Sequence, residues 1–283
     1  MSTIEKIRRL SVADIPAGLE LSALAGWNQT AEDWRMLLWL APEGCFGMEV
    51  NGRVVGTATL ICYGKELGWI GMVLTHPEFR GRGFAKRLFE HVLQRADVAG
   101  ICTLKLDATD HGKPLYEKYG FRSEQTVERW GGKLSEVGVT GCERFTKHGE
   151  LDMEAFGADR SELLRMLAVR GNCISSDAGF LMTRPGTIAS YLGPCAARDQ
   201  ESAMDLFHVV LQRGVGDIVG SGGLTDTQTR EWYWDLLPKN ESAVELALKL
   251  GFTPRRKLTR MFRGQELRAR DEFVYAIAGF EMG

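Results

Sequence analysis

The hydrophobic and polar positions change period several times along the chain, and each change marks an element. Residues 7–10 read as a short strand that runs through Ser11-Val12-Ala13-Asp14 into a helix, where Ser11 or Asp14 can accept from the free amides of the first turn. Trp27, Trp34, Leu37, Leu38 and Trp39 recur at helical spacing, with Asn28, Gln29 and Thr30 as an intervening loop and cap. Residues 46–50 and 53–62 flank Asn51-Gly52, which supplies the two positive-φ positions of a type I′ turn and so predicts a hairpin. Residues 67–74 are nearly all apolar and predict a strand buried on both faces. A glycine loop, Arg80-Gly81-Arg82-Gly83, then opens into a helical period over residues 84–96. Residues 101–107 predict a strand, residues 113–119 a short helix stopped by Gly120, and Phe121 begins a further strand.

Near residue 130 the pattern loosens into Trp130-Gly131-Gly132-Lys133-Leu134-Ser135, which reads as the start of a linker. A second series follows, with a helix over 160–169, strands over 179–183 and 190–197, and a helix over 202–211. Three segments of the two series align in the same order. Trp69-Ile70-Gly71-Met72-Val73 matches Tyr191-Leu192-Gly193-Pro194-Cys195, residues 87–93 match 205–211, and residues 114–121 match 245–252. The chain's 283 residues exceed what one core usually serves. The expected organisation is therefore a domain over 1–130, a linker over 131–150 and a second domain over 151–283 built on the same plan.

The copies differ where the first carries its glycine loop. Seventeen residues separate Gly71 from Leu88 but thirteen separate Gly193 from Leu206, and the second copy has Ala197-Arg198-Asp199-Gln200-Glu201 at the junction. It also has Ala247 at the position of Tyr116.

Composition narrows the classes. With 35 basic and 37 acidic residues the chain has no general basic field, so bulk nucleic-acid binding is not expected. Its six cysteines form no CxxC pair and no zinc spacing, which predicts reduced, mostly buried thiols and no metal. No stretch reaches the length of a membrane span or signal core, so a cytoplasmic protein without a membrane partner is expected.

A strand that opens directly into a helix leaves the helix's first amides unpaired, and with the macrodipole they form a site for phosphate oxygens. Gly81 and Gly83 allow close backbone approach, and Arg80 and Arg82 add positive charge. A plain glycine turn with solvated arginines is the competing reading.

Arg80-Gly81-Arg82-Gly83-Phe84-Ala85, preceded by residues 72–79 and followed by Leu115-Tyr116-Glu117-Lys118-Tyr119-Gly120-Phe121, resembles the signature and second hallmark of the GNAT superfamily of N-acyltransferases. The resemblance implies an α/β fold with a mixed, splayed sheet. With the repeat, it implies two such domains in tandem, the second degenerate and on the substrate side or structural. It implies acetyl-CoA as cosubstrate, held by Arg80, Gly81, Arg82, Gly83, Phe84 and Ala85 at the pyrophosphate and by backbone groups of Met72, Val73 and Leu74 at the pantetheine arm and thioester. Tyr116, at the family's tyrosine position, would protonate the departing thiolate.

The base stays open among a water relay, Glu78, His76 and Asp107. Trp27 and Asn28 on the segment bordering the acceptor site, Asp107 at a strand end, and the aromatic pair Trp232 and Trp234 are candidate substrate contacts, with core packing the alternative for the tryptophans. The expected activity is transfer of an acetyl group to a primary amine of a small or amino-acid-like molecule. A protein lysine or N-terminus as acceptor, and a non-catalytic acyl-CoA-binding regulator, are the alternatives. A homodimer is compatible with this reading.

Overall fold

The computed structural model describes residues 3–135, 148–216 and 229–283, so Cys142 and most of the expected linker lie outside the described residues. The chain divides into two compact units. Unit 1 comprises Met1–Glu124, Arg260–Leu267 and Phe280–Gly283; unit 2 comprises Gln125–Thr259 and Arg268–Gly279.

Unit 1 opens with β1 (Glu5–Arg9), α1 (Ile15–Leu24) and α2 (Ala31–Leu40). Ser11 and Asp14 form a capping box before α1, and Thr30 caps α2 in a second box with Asp33. β2 (Cys45–Val50), β3 (Arg53–Tyr63) and β4 (Leu67–Thr75) continue the antiparallel sheet that β1 begins. The β2–β3 turn has φ of 49° at Asn51 and 86° at Gly52, as the Asn-Gly dipeptide predicts. α3 (Phe84–Ala99) follows, and its Leu88, Phe89 and Val92 pack with Leu60 and Ile70 of the sheet in one core. β5 (Thr103–Ala108) pairs in parallel with β4, and α4 (Lys113–Glu117) ends before Gly120, which has φ of 81°.

β6 (Arg122–Ser135) is where the expected boundary fails, because Trp130 to Ser135 are strand rather than linker. The glycines there serve close approach. A side chain at Gly131 would come within 2.8 Å of Arg255, and one at Gly132 within 3.0 Å of the Phe252 ring.

Unit 2 repeats the plan with α5 (Gly149–Phe156), α6 (Ser161–Arg170), β7 (Asn172–Ser176), β8 (Gly179–Arg184), β9 (Ser190–Ala197), α7 (Gln200–Gly216), β10 (Thr229–Leu236), α8 (Glu241–Lys249), β11 (Thr253–Gly264) and β12 (Val274–Ala276). β7 to β9 are antiparallel neighbours and β10 joins β9 in parallel, the arrangement of β2 to β5.

The final strands do not follow the repeat boundaries. In unit 2, β10 is flanked by β6, with Asp235 opposite Arg129. In unit 1, β5 is flanked by the far end of β11, where Thr103 Oγ1 donates to the Gln265 carbonyl at 2.7 Å. Each unit thus completes its sheet with the strand that sequence order assigns to the other.

Two buried ion pairs mark the exchange. Asp107 accepts from Arg260 Nε at 2.9 Å and Nη2 at 3.0 Å, and Asp235 accepts from Arg129 Nε at 2.7 Å and Nη2 at 2.6 Å. Each guanidinium lies over an aromatic ring, Arg260 at 4.7 Å from Trp69 and Arg129 at 5.1 Å from Tyr191. Bidentate pairing of this kind is what makes a buried charge tolerable.

Candidate functional site

The site grows from β4. Its pairing with β5 covers Leu67, Gly68 and Trp69 only, after which the two strands part. On its other edge the register with β3 slips between Thr57 and Thr59, a bulge at which Met72 takes φ of 49° and its carbonyl accepts from Thr57 Oγ1 at 2.8 Å. Met72 and Leu74 are buried and Val73 is partly exposed.

Downstream of the bulge, the His76 Nδ1 accepts from the Glu78 amide and starts a short 3₁₀ turn over Pro77–Phe79. His76 is therefore a turn residue, and Glu78 extends into solvent. Arg80 Nε reaches back to the Thr75 carbonyl, and Arg82 stacks over Phe79 at 4.9 Å. Gly81 and Gly83 have φ of 78° and 77°, and no atom lies within 4 Å of a side chain added at either. These values require glycine and leave the backbone approachable. Gly83 caps α3, and Arg87 makes the first bond to its carbonyl at 3.0 Å. The amides of Phe84, Ala85 and Lys86 precede that ladder at the positive end of the helix. Phe84, buried and stacked on Phe79, fixes the angle at which the helix leaves the loop.

Tyr116 lies on α4 among aromatic rings, 4.9 Å from Phe89 and 6.3 Å from Phe121. Burial pushes its phenol up to about 12. Asp107 is already matched by Arg260, so a second cation would have to compete with a bidentate guanidinium. Between α1 and α2, Trp27 is half-buried and Asn28 fully buried. Trp232 and Trp234 are corrected outright: both face the core of unit 2, with Trp234 stacked on Phe207 at 4.3 Å and donating to the Tyr275 carbonyl at 2.7 Å. Strand alternation in β10 turns them inward and leaves Tyr233 and Asp235 on the opposite face. Of the cysteines, Cys45, Cys173 and Cys195 are buried but Cys62 and Cys102 are exposed. Among the described residues there is no metal-binding cluster, and no helix is long and apolar enough to cross a membrane.

The counterpart positions in unit 2 are built differently. Its bulge holds Gly193-Pro194 where unit 1 has Gly71-Met72, so the second residue has no amide to donate. The N-terminus of α7 is satisfied by Asp199, whose carboxylate accepts from the Ser202 amide at 2.8 Å and is lowered by that bond. β12 lies antiparallel to β9 along Cys195 and Ala196, and the next residue, Ile277, donates its amide to the Asp235 carbonyl of β10.

Comparison with known proteins finds a family match in each half of the chain. The model of the acetyltransferase (GNAT) family fits residues 16–121, and that of an acetyltransferase (GNAT) domain fits residues 149–220. The chain is a tandem GNAT protein. YitH, an N-acetyltransferase of Bacillus subtilis without an assigned substrate, is 28% identical over 59% of this chain and 61% of its own length. Glucosamine 6-phosphate N-acetyltransferase of Trypanosoma brucei brucei is 28% identical over 45% of the chain and 86% of its own. The crystal structure of a proposed acetyltransferase from Pyrococcus horikoshii shares the fold with a TM-score of 0.82 at 21% identity, covering 99% of this chain and 96% of that one.

Arg260 and Arg129, central to this tandem GNAT protein, escaped the sequence reading, although a signal existed. Each arginine follows the aligned phenylalanine, Phe252 or Phe121, by eight residues. Likewise Asp107 and Asp235 each stand two positions past the strand partner of an aligned residue, Lys105 opposite Trp69 and Tyr233 opposite Tyr191.

Proposed function

We propose that this tandem GNAT protein is an acetyl-CoA-dependent N-acetyltransferase that works from unit 1 alone. The carrying observation is the sequence of parts in one stretch of chain: a bulged strand that parts from its neighbour, two positive-φ glycines, and a helix whose first amides lie beyond them. These residues fit acetyl-CoA. The amides from Gly81 to Ala85, with Arg80 and Arg82, are suited to a pyrophosphate, and backbone groups of Met72, Val73 and Leu74 to the pantetheine arm and thioester carbonyl.

Tyr116 supplies the acid. A phenol kept neutral to about 12 by burial still carries its proton when the CoA thiolate departs. The acceptor is the primary amine of a small or amino-acid-like molecule, reached by direct transfer in a ternary complex. The resemblance to a glucosamine 6-phosphate N-acetyltransferase supports this acceptor class over a protein lysine. Trp27 and Asn28 border the acceptor, and unit 2 has a supporting role.

The test is CoA release measured over a panel of amines, with Tyr116→Phe as the control. A tyrosine acid predicts loss of turnover on the order of 100-fold with acetyl-CoA affinity unchanged. Tight acetyl-CoA binding without release on any amine would favour a non-catalytic binder, and release only with lysine peptides a protein substrate.

A further inference from the structure

Acyl transfer needs a group to take the proton that the amine loses, and unit 1 narrows the choice. Asp33 is committed to the cap of α2, Asp107 is held at both oxygens by Arg260, Glu78 lies in solvent and His76 is engaged in its turn. Among the described residues of unit 1 a further carboxylic acid is buried to this degree, and it comes from a distant stretch of sequence. Glu281 is only 3% exposed.

The segment carrying it is fixed on both sides. Trp69 Nε1 of β4 donates to the Phe280 carbonyl at 3.0 Å, and the Tyr63 hydroxyl of β3 donates to the Met282 carbonyl at 2.7 Å. Between these ties the Glu281 backbone presses on Gly71, where an added Cβ would lie 2.6 Å from its carbonyl oxygen and 3.0 Å from its Cα. Gly71 immediately precedes Met72, the residue at the bulge. A glycine is needed there because the segment of Glu281 occupies the space of a side chain. The same stretch of chain serves unit 2, where Gly193 abuts the Ile277 carbonyl in the same manner.

We propose that Glu281 is the general base for the acceptor amine, brought to the β4 bulge by the bonds from Trp69 and Tyr63. The proposal rests on the N-acetyltransferase reading. The ammonium of the acceptor gives one proton to the Glu281 carboxylate, and the neutral nitrogen forms the new C–N bond as the C–S bond breaks. Tyr116 protonates the departing thiolate and is restored by the second proton that nitrogen sheds. The proton on Glu281 passes to solvent, so one proton is released for each amide and each CoA formed.

The experiment compares the native protein with Glu281→Gln, Glu281→Asp and Gly71→Ala, using CoA release on an accepted panel amine and calorimetry with acetyl-CoA. Glu281→Gln should bind acetyl-CoA as the native protein does, with kcat at pH 7 reduced on the order of 100-fold and KM little changed. The deficit should shrink as the pH approaches the amine's own pKa, because the acceptor then arrives deprotonated; a purely structural loss would not recover. Glu281→Asp should retain part of the activity, and Gly71→Ala, which displaces the segment but keeps the carboxylate, should fall between. Turnover of Glu281→Gln within twofold of native at pH 7, or a deficit constant with pH, overturns the assignment and leaves the enzyme reading standing. A native protein that binds no acetyl-CoA and releases no CoA takes both down together.

Discussion

Units 1 and 2 share strand order and register up to the glycine of the bulge, and then diverge along the stretch proposed to hold acetyl-CoA. Where unit 1 keeps an amide at Met72, unit 2 has Pro194. Where unit 1 ends its loop in Gly83, unit 2 presents the Asp199 carboxylate to the helix amides, which places a fixed anion where a phosphate would sit. Where β4 parts from β5, the corresponding gap between β9 and β10 is crossed by β12 and Ile277. The second copy therefore differs by more than missing residues. In unit 2 the Asp199 carboxylate takes up an amide of the α7 N-terminus and β12 with Ile277 takes up groups of β9 and β10, so that copy has internal partners where unit 1 has an open loop.

The comparison can be broken most severely at what the units have in common. Asp107→Ala and Asp235→Ala each leave a buried arginine uncompensated, and each should lower unfolding free energy by about 3–5 kcal/mol in denaturant titrations. A large loss at one and none at the other would show that the two pairs are not equivalent. At the glycine loop, Gly83→Trp places a bulky residue at a φ of 77° and should weaken acetyl-CoA binding at least ~100-fold by calorimetry, with one site per native chain. Two sites per chain would mean that unit 2 is not closed by its own strand.

A smaller effect concerns alkaline stability. Tyr116 in unit 1 and Tyr275 in unit 2 are both pushed to about 12 by burial. Below pH 10 the folded and unfolded chains both keep these protons and the contribution is complete. From pH 10 to 12 the unfolded chain loses them first, so stability falls as pH rises, by about 2 kcal/mol for Tyr116 and by less for Tyr275. Tyr116→Phe and Tyr275→Phe should each make that alkaline slope shallower, the buried thiols of Cys45 and Cys195 supplying part of what remains. The smallest effect is expected at Asp199→Ala, which removes a helix cap. It should cost about 1 kcal/mol and leave acetyl-CoA stoichiometry unchanged.

Much of this was legible from local pattern. Asn51-Gly52 announces its hairpin, the apolar run of β4 its burial, and Gly81 and Gly83 their helix start, because each is decided by neighbours in sequence. Trp130-Gly131-Gly132 misleads for the opposite reason. Its glycines answer to Phe252 and Arg255, more than a hundred residues away, and no local rule separates such a glycine from one in a turn. The same holds for Glu281, whose significance depends on Tyr63, Trp69 and Gly71. The Arg129 and Arg260 pairs lie between these extremes, visible in the repeat once the alignment extends past Phe121 and Phe252, but with partners that only the strand exchange reveals.

The exchange also bears on how the protein can be taken apart. A chain ending after β6 would carry Asp107 without Arg260 and expose Arg129 without Asp235, and the complementary piece would be deficient in the mirror sense. The two halves of the sequence are thus not separable modules that can be cloned, swapped or deleted one at a time. Supplied as two fragments, they should regain a finished sheet only in each other's presence, so that the duplication behaves as an obligate pair carried on one polypeptide.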